Sequence, residues 1–143
     1  MSVSDQQQDI INTFAELADW EEKYGYLIKL GKDLGDLDPE IKTEKNKISG
    51  CQSQVWMHAR MDDEKMIIYG DSDAMIVKGL IAMLINVYSN QTPEDILSSP
   101  PEFLQKIGID KHLSPTRKNG LGAMLKQIQL FALAFKTLSK SDG

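Results

Sequence analysis

At the point that decides its fold, the sequence reads Gln52-Ser53-Gln54-Val55-Trp56-Met57-His58-Ala59-Arg60-Met61. Alternate residues of an extended chain point to opposite faces, and every second residue from Ser53 to Met61 is small or apolar. We expect that face to join the core. Residues 62–65 read as a turn and residues 66–69 as a returning strand. The pattern therefore predicts an antiparallel β-hairpin.

A nearly all-apolar segment, residues 74–87, follows the hairpin. Lys78 and Asn86 are its main polar interruptions, so we expect a central buried helix. Three polar residues in front of it are candidates for its N-cap, namely Asp71, Ser72 and Asp73. The methionines of this region are expected in the core: Met61, Met66, Met75 and Met83.

Two helices are predicted before the hairpin. Apolar residues recur at helical spacing between Ile10 and Ala18. Asp19 and Glu22 form a capping-box pair that starts a second helix near Trp20, and Gly31 is a plausible end for it. Residues 32–47 are polar and predict a loop.

Three helix starts are predicted after the central helix, at Thr92-Pro93, Ser99-Pro100 and Ser114-Pro115. Gly108 is expected to end the second of these helices. The last one carries a long apolar stripe made of Leu121, Met124, Leu125, Ile128, Phe131, Phe135 and Leu138. The predicted class is α+β, with a small antiparallel β-sheet packed against several helices.

The composition predicts one domain over residues 1–143. Hydrophobic residues make up 41% of the chain and the net charge is −5, so general binding to nucleic acid or anionic membrane is not expected. The first nine residues are polar and show no secretory signal. Residues 74–87 are too short to span a bilayer. We therefore expect a cytoplasmic protein.

Cys51 is the one cysteine of the chain, so neither an internal disulfide nor a cysteine-based cluster site is expected. Gly50 permits a sharp bend before it. Its strand phase predicts a thiol that leans inward, and three nearby lysines would lower the thiol pKa: Lys42, Lys45 and Lys47. Two interpretations stay open from these residues alone, a space-filling core cysteine and a nucleophile.

Three motifs resemble the SufE/CsdE family of sulfur acceptors. The first is Gly50-Cys51-Gln52-Ser53-Gln54-Val55-Trp56, preceded by Asn46. The second is Gly70-Asp71-Ser72-Asp73-Ala74, followed by Ile76-Val77-Lys78-Gly79-Leu80. The third is His112-Leu113-Ser114-Pro115-Thr116-Arg117, followed by Gly120-Leu121. Their order and spacing also resemble the family's. The resemblance covers about residues 10–138, which it implies as the core of the domain.

The resemblance implies a SufE/IscU-like fold and a role in iron–sulfur cluster assembly. It implies that Cys51 receives persulfide sulfur from a PLP-dependent cysteine desulfurase of the SufS/CsdA type and that the protein stimulates that enzyme. The sulfur would pass to a downstream acceptor such as a Suf cluster scaffold. The chain itself would hold no PLP and no metal, and would perform a transfer step without being an independent turnover enzyme.

Further residues of these motifs are candidates for supporting the site or binding a partner. Gln52 and Ser53 directly follow the cysteine, and Asn46 is expected to brace the cysteine loop through a backbone hydrogen bond. Trp56 anchors the loop, contacts a partner or packs under a helix. His58, on the polar strand face, is interpreted as a surface or partner-contacting residue.

Two candidates lie farther along the chain. Asp73 is explained most simply as a helix-start residue, although its loop could lie beside the cysteine loop. Arg117 falls in the first turn of a helix, where a cation opposes the helix dipole. We therefore expect a carboxylate partner for it, from this chain or from the desulfurase.

Three rival functions are weighed against the carrier. A cluster scaffold needs several thiolate ligands, and one cysteine does not supply them. A redox enzyme would need an external resolving thiol. A regulatory module would bind the desulfurase without accepting sulfur, and a Cys51→Ser protein would still stimulate the enzyme in that case.

Overall fold

The computed structural model describes residues 2–142, and Met1 and Gly143, the ends of the predicted domain, lie outside that range. Within it are six α-helices and one two-stranded antiparallel sheet. The elements are α1 Val3–Glu16, α2 Trp20–Leu34, β1 Val55–Asp62, β2 Lys65–Ser72, α3 Met75–Tyr88, α4 Pro93–Leu97, α5 Phe103–Ile107 and α6 Pro115–Asp142. The α+β prediction is confirmed. No helix in residues 2–142 is both long and apolar enough to cross a bilayer.

The predicted hairpin is confirmed, with Val55 opposite Ser72 and Asp62 opposite Lys65. Asp63 takes a positive φ of 60° in the tight turn. The core face is the expected one, because Val55, Met57 and Ala59 are buried. The first strand begins three residues later than predicted, since residues 52–54 belong to a loop rather than to the sheet.

Gly31 does not end α2, and that prediction was wrong. The residue is buried inside the helix, where an added Cβ would lie 3.0 Å from the backbone nitrogen of Gly79 on α3. At Gly79 an added Cβ would lie 2.2 Å from the carbonyl oxygen of Leu27. The two glycines allow α2 and α3 to touch along their backbones. The helix ends at Leu34, with Gly35 as its cap at φ 75°.

The predicted N-caps of α3 were also wrong. The cap position is Ala74, which makes no side-chain hydrogen bond to the helix. Asp71 is instead buried and forms ion pairs with Lys42 at 3.4 Å and Lys78 at 3.2 Å. This contact explains the lysine in an apolar helix, because Lys78 neutralises a carboxylate under the helix start.

Residues 35–47, which we call the strap, cover the outer face of the hairpin. Trp56 belongs to the strand face predicted to be polar, yet it is buried, because the strap packs over it and Lys42 Nζ lies 4.7 Å from its ring. Asn46 Nδ2 donates a hydrogen bond to the Ile41 carbonyl at 2.8 Å, so it braces the strap and not, as predicted, the loop that contains Cys51. The predicted loop over residues 32–47 is thus correct from Gly35 onward, apart from the short 3₁₀ turn Glu44–Asn46.

The helices after α3 follow the predictions with two exceptions. Thr92 caps α4 and Gly108 ends α5 at φ 77°, but α5 starts at Phe103, beyond the predicted Ser99-Pro100. On α6 the stripe is buried at Leu121, Met124 and Ile128 but not at its end. Leu138 is 57% exposed, because ten residues after Ile128 place it about 80° around the helix from that buried position.

Of the four predicted core methionines, Met66 and Met83 are fully buried and Met61 is half-buried. Met75 is 60% exposed, so its prediction was wrong. It occupies the first position of α3, where the helix end meets solvent.

Candidate functional site

The cysteine lies in a short closed loop at the start of the hairpin. Ile48 N–H donates to the Val55 carbonyl at 2.8 Å, and Lys47 pairs with Trp56 as an isolated antiparallel bridge. The chain between them, residues 49–54, therefore leaves and re-enters the sheet at the same place. Gly50 has a φ of 91°, which side-chain-bearing residues rarely adopt, so the bend before the cysteine needs glycine.

The Cys51 thiol is half-buried and faces the first turns of α6. Its Sγ lies 3.8 Å from the Gly120 carbonyl oxygen, to which the S–H donates. A Cβ added at Gly120 would lie 3.7 Å from that sulfur, which is an ordinary van der Waals contact. The inward lean predicted from strand phase agrees with this position.

Burial raises the pKa of the Cys51 thiol above its ordinary value. The prediction that nearby lysines lower it was wrong. Lys42 pairs with Asp71, and Lys47 pairs with Glu44 at 3.4 Å. Two of the three lysines thus pair with carboxylates of this chain, and a thiol with a raised pKa is protonated at neutral pH.

An open cavity of about 360 Å³ lies in front of the thiol. Its lining combines polar side chains of the cysteine loop and of the start of α6 with an apolar part from α3 and α6. These residues are Cys51, Gln52, Ser53, Val77, Leu80, Ser114, Thr116, Arg117, Gly120 and Met124. Gln52, Ser53 and Arg117 were predicted as site residues, whereas Ser114 and Thr116 were not. The signal for those two was their place in the third motif, beside Arg117.

Asp73 connects the cysteine loop to the start of α3. Its Oδ1 accepts from the Gln54 N–H at 3.0 Å, and its own N–H donates to the Gln54 carbonyl at 3.3 Å. Ser72 Oγ also donates to that carbonyl, at 2.8 Å. The helix-start explanation of Asp73 was wrong, and the alternative that its loop lies beside the cysteine loop is confirmed.

Comparison with known proteins decides the family. The profile of the SufE family, described as "Fe-S metabolism associated domain", matches residues 8–132. The chain belongs to the SufE family.

A solved structure supports the fold of this SufE-family chain. It is the solution structure of a hypothetical protein from Thermus thermophilus. The two chains are similar with a TM-score of 0.78 over 92% of this chain and 96% of the other, at 23% sequence identity. The similarity shows a shared fold. Membership of the family associates this protein with iron–sulfur metabolism and with the cysteine desulfurases that serve it.

The three SufE-like motifs come together around one cavity. The first supplies Cys51, the second supplies Val77 and Leu80 of α3, and the third supplies Arg117 and Gly120 of α6. Segments far from the cysteine in sequence therefore contribute to its surroundings. Their convergence makes this cavity the candidate functional site of the SufE-family chain.

Arg117 is exposed, and its backbone N–H donates to Ser114 Oγ at 3.3 Å. Among the side chains described, those of residues 2–138, no carboxylate lies within 4.0 Å of its guanidinium. The expected carboxylate partner is therefore not a described residue of this chain. His58 does not line the cavity; it stacks on Tyr69 across the hairpin, with ring centroids 6.2 Å apart.

Proposed function

We propose that this SufE-family protein is a cytoplasmic sulfur carrier, which accepts persulfide sulfur on Cys51 and delivers it for iron–sulfur cluster assembly. The observation that carries the proposal is the thiol itself, the one cysteine of the chain, at the tip of a closed loop and beside an open polar cavity. The Gly50 bend, at a φ of 91°, places the thiol beside this cavity.

The transfer resembles thiol–disulfide exchange. The Cys51 thiolate attacks the terminal sulfur of a persulfide on the desulfurase cysteine. A new S–S bond forms at Cys51, the S–S bond on the desulfurase breaks, and the desulfurase cysteine leaves as a thiolate. The proton lost from Cys51 balances the one that this thiolate gains. The second transfer repeats the step with a downstream acceptor, such as a Suf cluster scaffold.

The resting thiol is protonated and half-buried, so docking has to activate it. Cys51 packs against the core and its S–H contacts the Gly120 carbonyl, while the bonds of Gln54 to Asp73 secure the far end of the loop. A rotation within residues 49–53 would turn the sulfur away from the core and farther into the cavity that it already lines, without disturbing the sheet. Exposure there removes the burial that raises the thiol pKa.

The partner surface is proposed around the same cavity. Arg117 is exposed and offers a cation to a carboxylate of a SufS/CsdA-type desulfurase. Met75, 60% exposed at the start of α3, adds a flexible apolar side chain of the kind enriched at binding surfaces. PLP belongs to the partner and is not required by this chain.

The test is an intact mass measured without reductant after incubation with a cysteine desulfurase of the same cell and L-cysteine. We expect a gain of about one sulfur atom (roughly 32 Da) that is lost with dithiothreitol. Cys51→Ser, which is nearly isosteric, must show no gain. An unchanged mass, with binding and stimulation of the desulfurase kept in Cys51→Ser, would establish the regulatory module instead.

A further inference from the structure

The cavity in front of Cys51 has a charge balance unlike that of the whole chain. The protein carries 21 acidic and 16 basic residues. Among the cavity-lining residues in the described part of the chain, however, Arg117 is the one charged side chain. Three hydroxyl groups lie around the same space, from Ser53, Ser114 and Thr116. Such a lining favours an anion with hydrogen-bond acceptors.

The size of the cavity limits the kind of anion. At about 360 Å³ it falls within the range of about 300–1,000 Å³ typical of small-molecule sites. Val77, Leu80 and Met124 form its closed apolar floor, because each is at most 8% exposed. The volume therefore fits a small organic carboxylate better than a single inorganic anion.

The position of the thiol indicates what else the ligand carries. Cys51 lines the same cavity as Arg117, so a carboxylate held at the guanidinium places the rest of a small molecule beside the sulfur. We propose that the cavity binds a low-molecular-weight thiol bearing a carboxylate, and that this thiol removes sulfur directly from the Cys51 persulfide. This inference rests on the proposed function, because it needs Cys51 to carry a persulfide.

The reaction balances without a further reactant. The thiolate of the small molecule attacks the outer sulfur of the Cys51 persulfide and forms a new S–S bond. The S–S bond to Cys51 breaks, Cys51 leaves as a thiolate, and the proton of the small thiol neutralises it. The product is a free small-molecule persulfide, so the protein would supply soluble sulfane sulfur as well as protein-bound sulfur. Arg117 acts as the carboxylate-binding residue.

The test omits the desulfurase, so that it does not depend on docking. Sodium polysulfide loads Cys51 with sulfur, the protein is desalted, and a gain of roughly 32 Da shows the loaded fraction. L-cysteine and cysteamine are then compared as acceptors, because cysteamine is cysteine without its carboxylate. The loaded fraction is followed over time by intact mass after alkylation. Reduced glutathione serves as a second, larger carboxylate-bearing thiol.

We expect L-cysteine to unload wild-type protein about tenfold faster than cysteamine at equal thiolate concentration, with a rate that saturates. Arg117→Gln should abolish that preference by lowering the L-cysteine rate to that of cysteamine. Lys118→Gln, which removes the neighbouring exposed cation outside the cavity, should retain it.

Equal rates for the two thiols on wild-type protein, or a preference that survives Arg117→Gln, would overturn the inference. Failure of polysulfide to load Cys51 would overturn it as well. Loading by the desulfurase is measured separately, so the carrier function can stand when this inference fails. Unloading by glutathione that also slows in Arg117→Gln would support the inference with a second carboxylate-bearing thiol.

Discussion

Asp71→Asn tests whether the buried carboxylate holds the strap against the hairpin. The Asp71 side chain is 2% exposed and contacts two lysine ammonium groups, from Lys42 on the strap and Lys78 on α3. It also accepts the Leu37 N–H at 3.2 Å. Asparagine keeps the size and an acceptor oxygen but removes the charge. Both lysines then lose a buried partner.

The expected loss of stability is about 3 kcal/mol, the lower end of the range for breaking a buried ion pair. The lower end applies because the Lys42 side chain is 36% exposed and can be solvated by water after the substitution. The Lys78 side chain is only 17% exposed, so most of the cost comes from its unpaired charge. With total stabilities of about 5–15 kcal/mol, the variant should still fold. At about 2–4 °C per kcal/mol for a domain slightly larger than this one, the melting temperature should fall by roughly 10 °C.

The assay is urea unfolding followed by tryptophan fluorescence, since Trp56 lies under the strap. Asp36→Asn is the matched control, because Asp36 pairs with the same Lys78 at 3.4 Å but is 98% exposed. It should cost less than about 1 kcal/mol. If Asp71→Asn costs no more than Asp36→Asn, the ion-pair explanation of the strap is wrong.

The pH dependence gives a second check on Asp71. Burial alone would raise the pKa of its carboxyl, but hydrogen bonds from Leu37 and Ser72 and the contact with Lys78 lower the pKa overall. A lowered folded-state pKa stabilises the protein above the unfolded value of about 3.9, and that stabilisation is lost as pH falls through the folded-state pKa. The stability difference between wild type and Asp71→Asn should therefore shrink below about pH 4. A constant difference would show that the charge is not responsible.

Three other predictions concern glycines and the thiol. Gly79→Ala should cost about 3 kcal/mol or more in urea unfolding, since its Cβ would overlap the Leu27 carbonyl. Gly25→Ala on the open side of α2 should instead stabilise the protein by up to about 1 kcal/mol. Gly50→Ala should cost about 1–2 kcal/mol through its positive φ and slow sulfur loading of Cys51; unaltered loading would show that the bend is dispensable. The iodoacetamide reaction of Cys51 should rise with pH to a midpoint above that of the urea-unfolded protein, and an equal or lower midpoint would contradict the burial effect.

The local pattern was sufficient for most elements of the fold. The alternation of apolar residues from Val55 to Met61 correctly predicted which strand face lies in the core. Side chains of an extended chain alternate between two faces, so apolar residues at every second position decide which face is buried. Pro93 correctly predicted the start of α4 and Gly108 the end of α5, because each residue has a backbone preference suited to that position. The three family-like motifs predicted Cys51 and Arg117 as site residues, and the structure places both in the lining of one cavity.

Tertiary contacts decided the rest. Gly31 looked like a helix end, but it serves the approach of α3, which is distant in sequence. Asp71 looked like a cap, but two lysines from separate segments pair with it. Lys42 and Lys47 were expected to lower the pKa of Cys51, but they pair with Asp71 and Glu44 instead. Each charge pairs with the opposite charge that the fold brings close to it. The local sequence alone placed the Cys51 thiol at the start of the hairpin. The burial of the thiol, its raised pKa and the presence of Arg117 in the same cavity depend on how α3 and α6 pack around the loop.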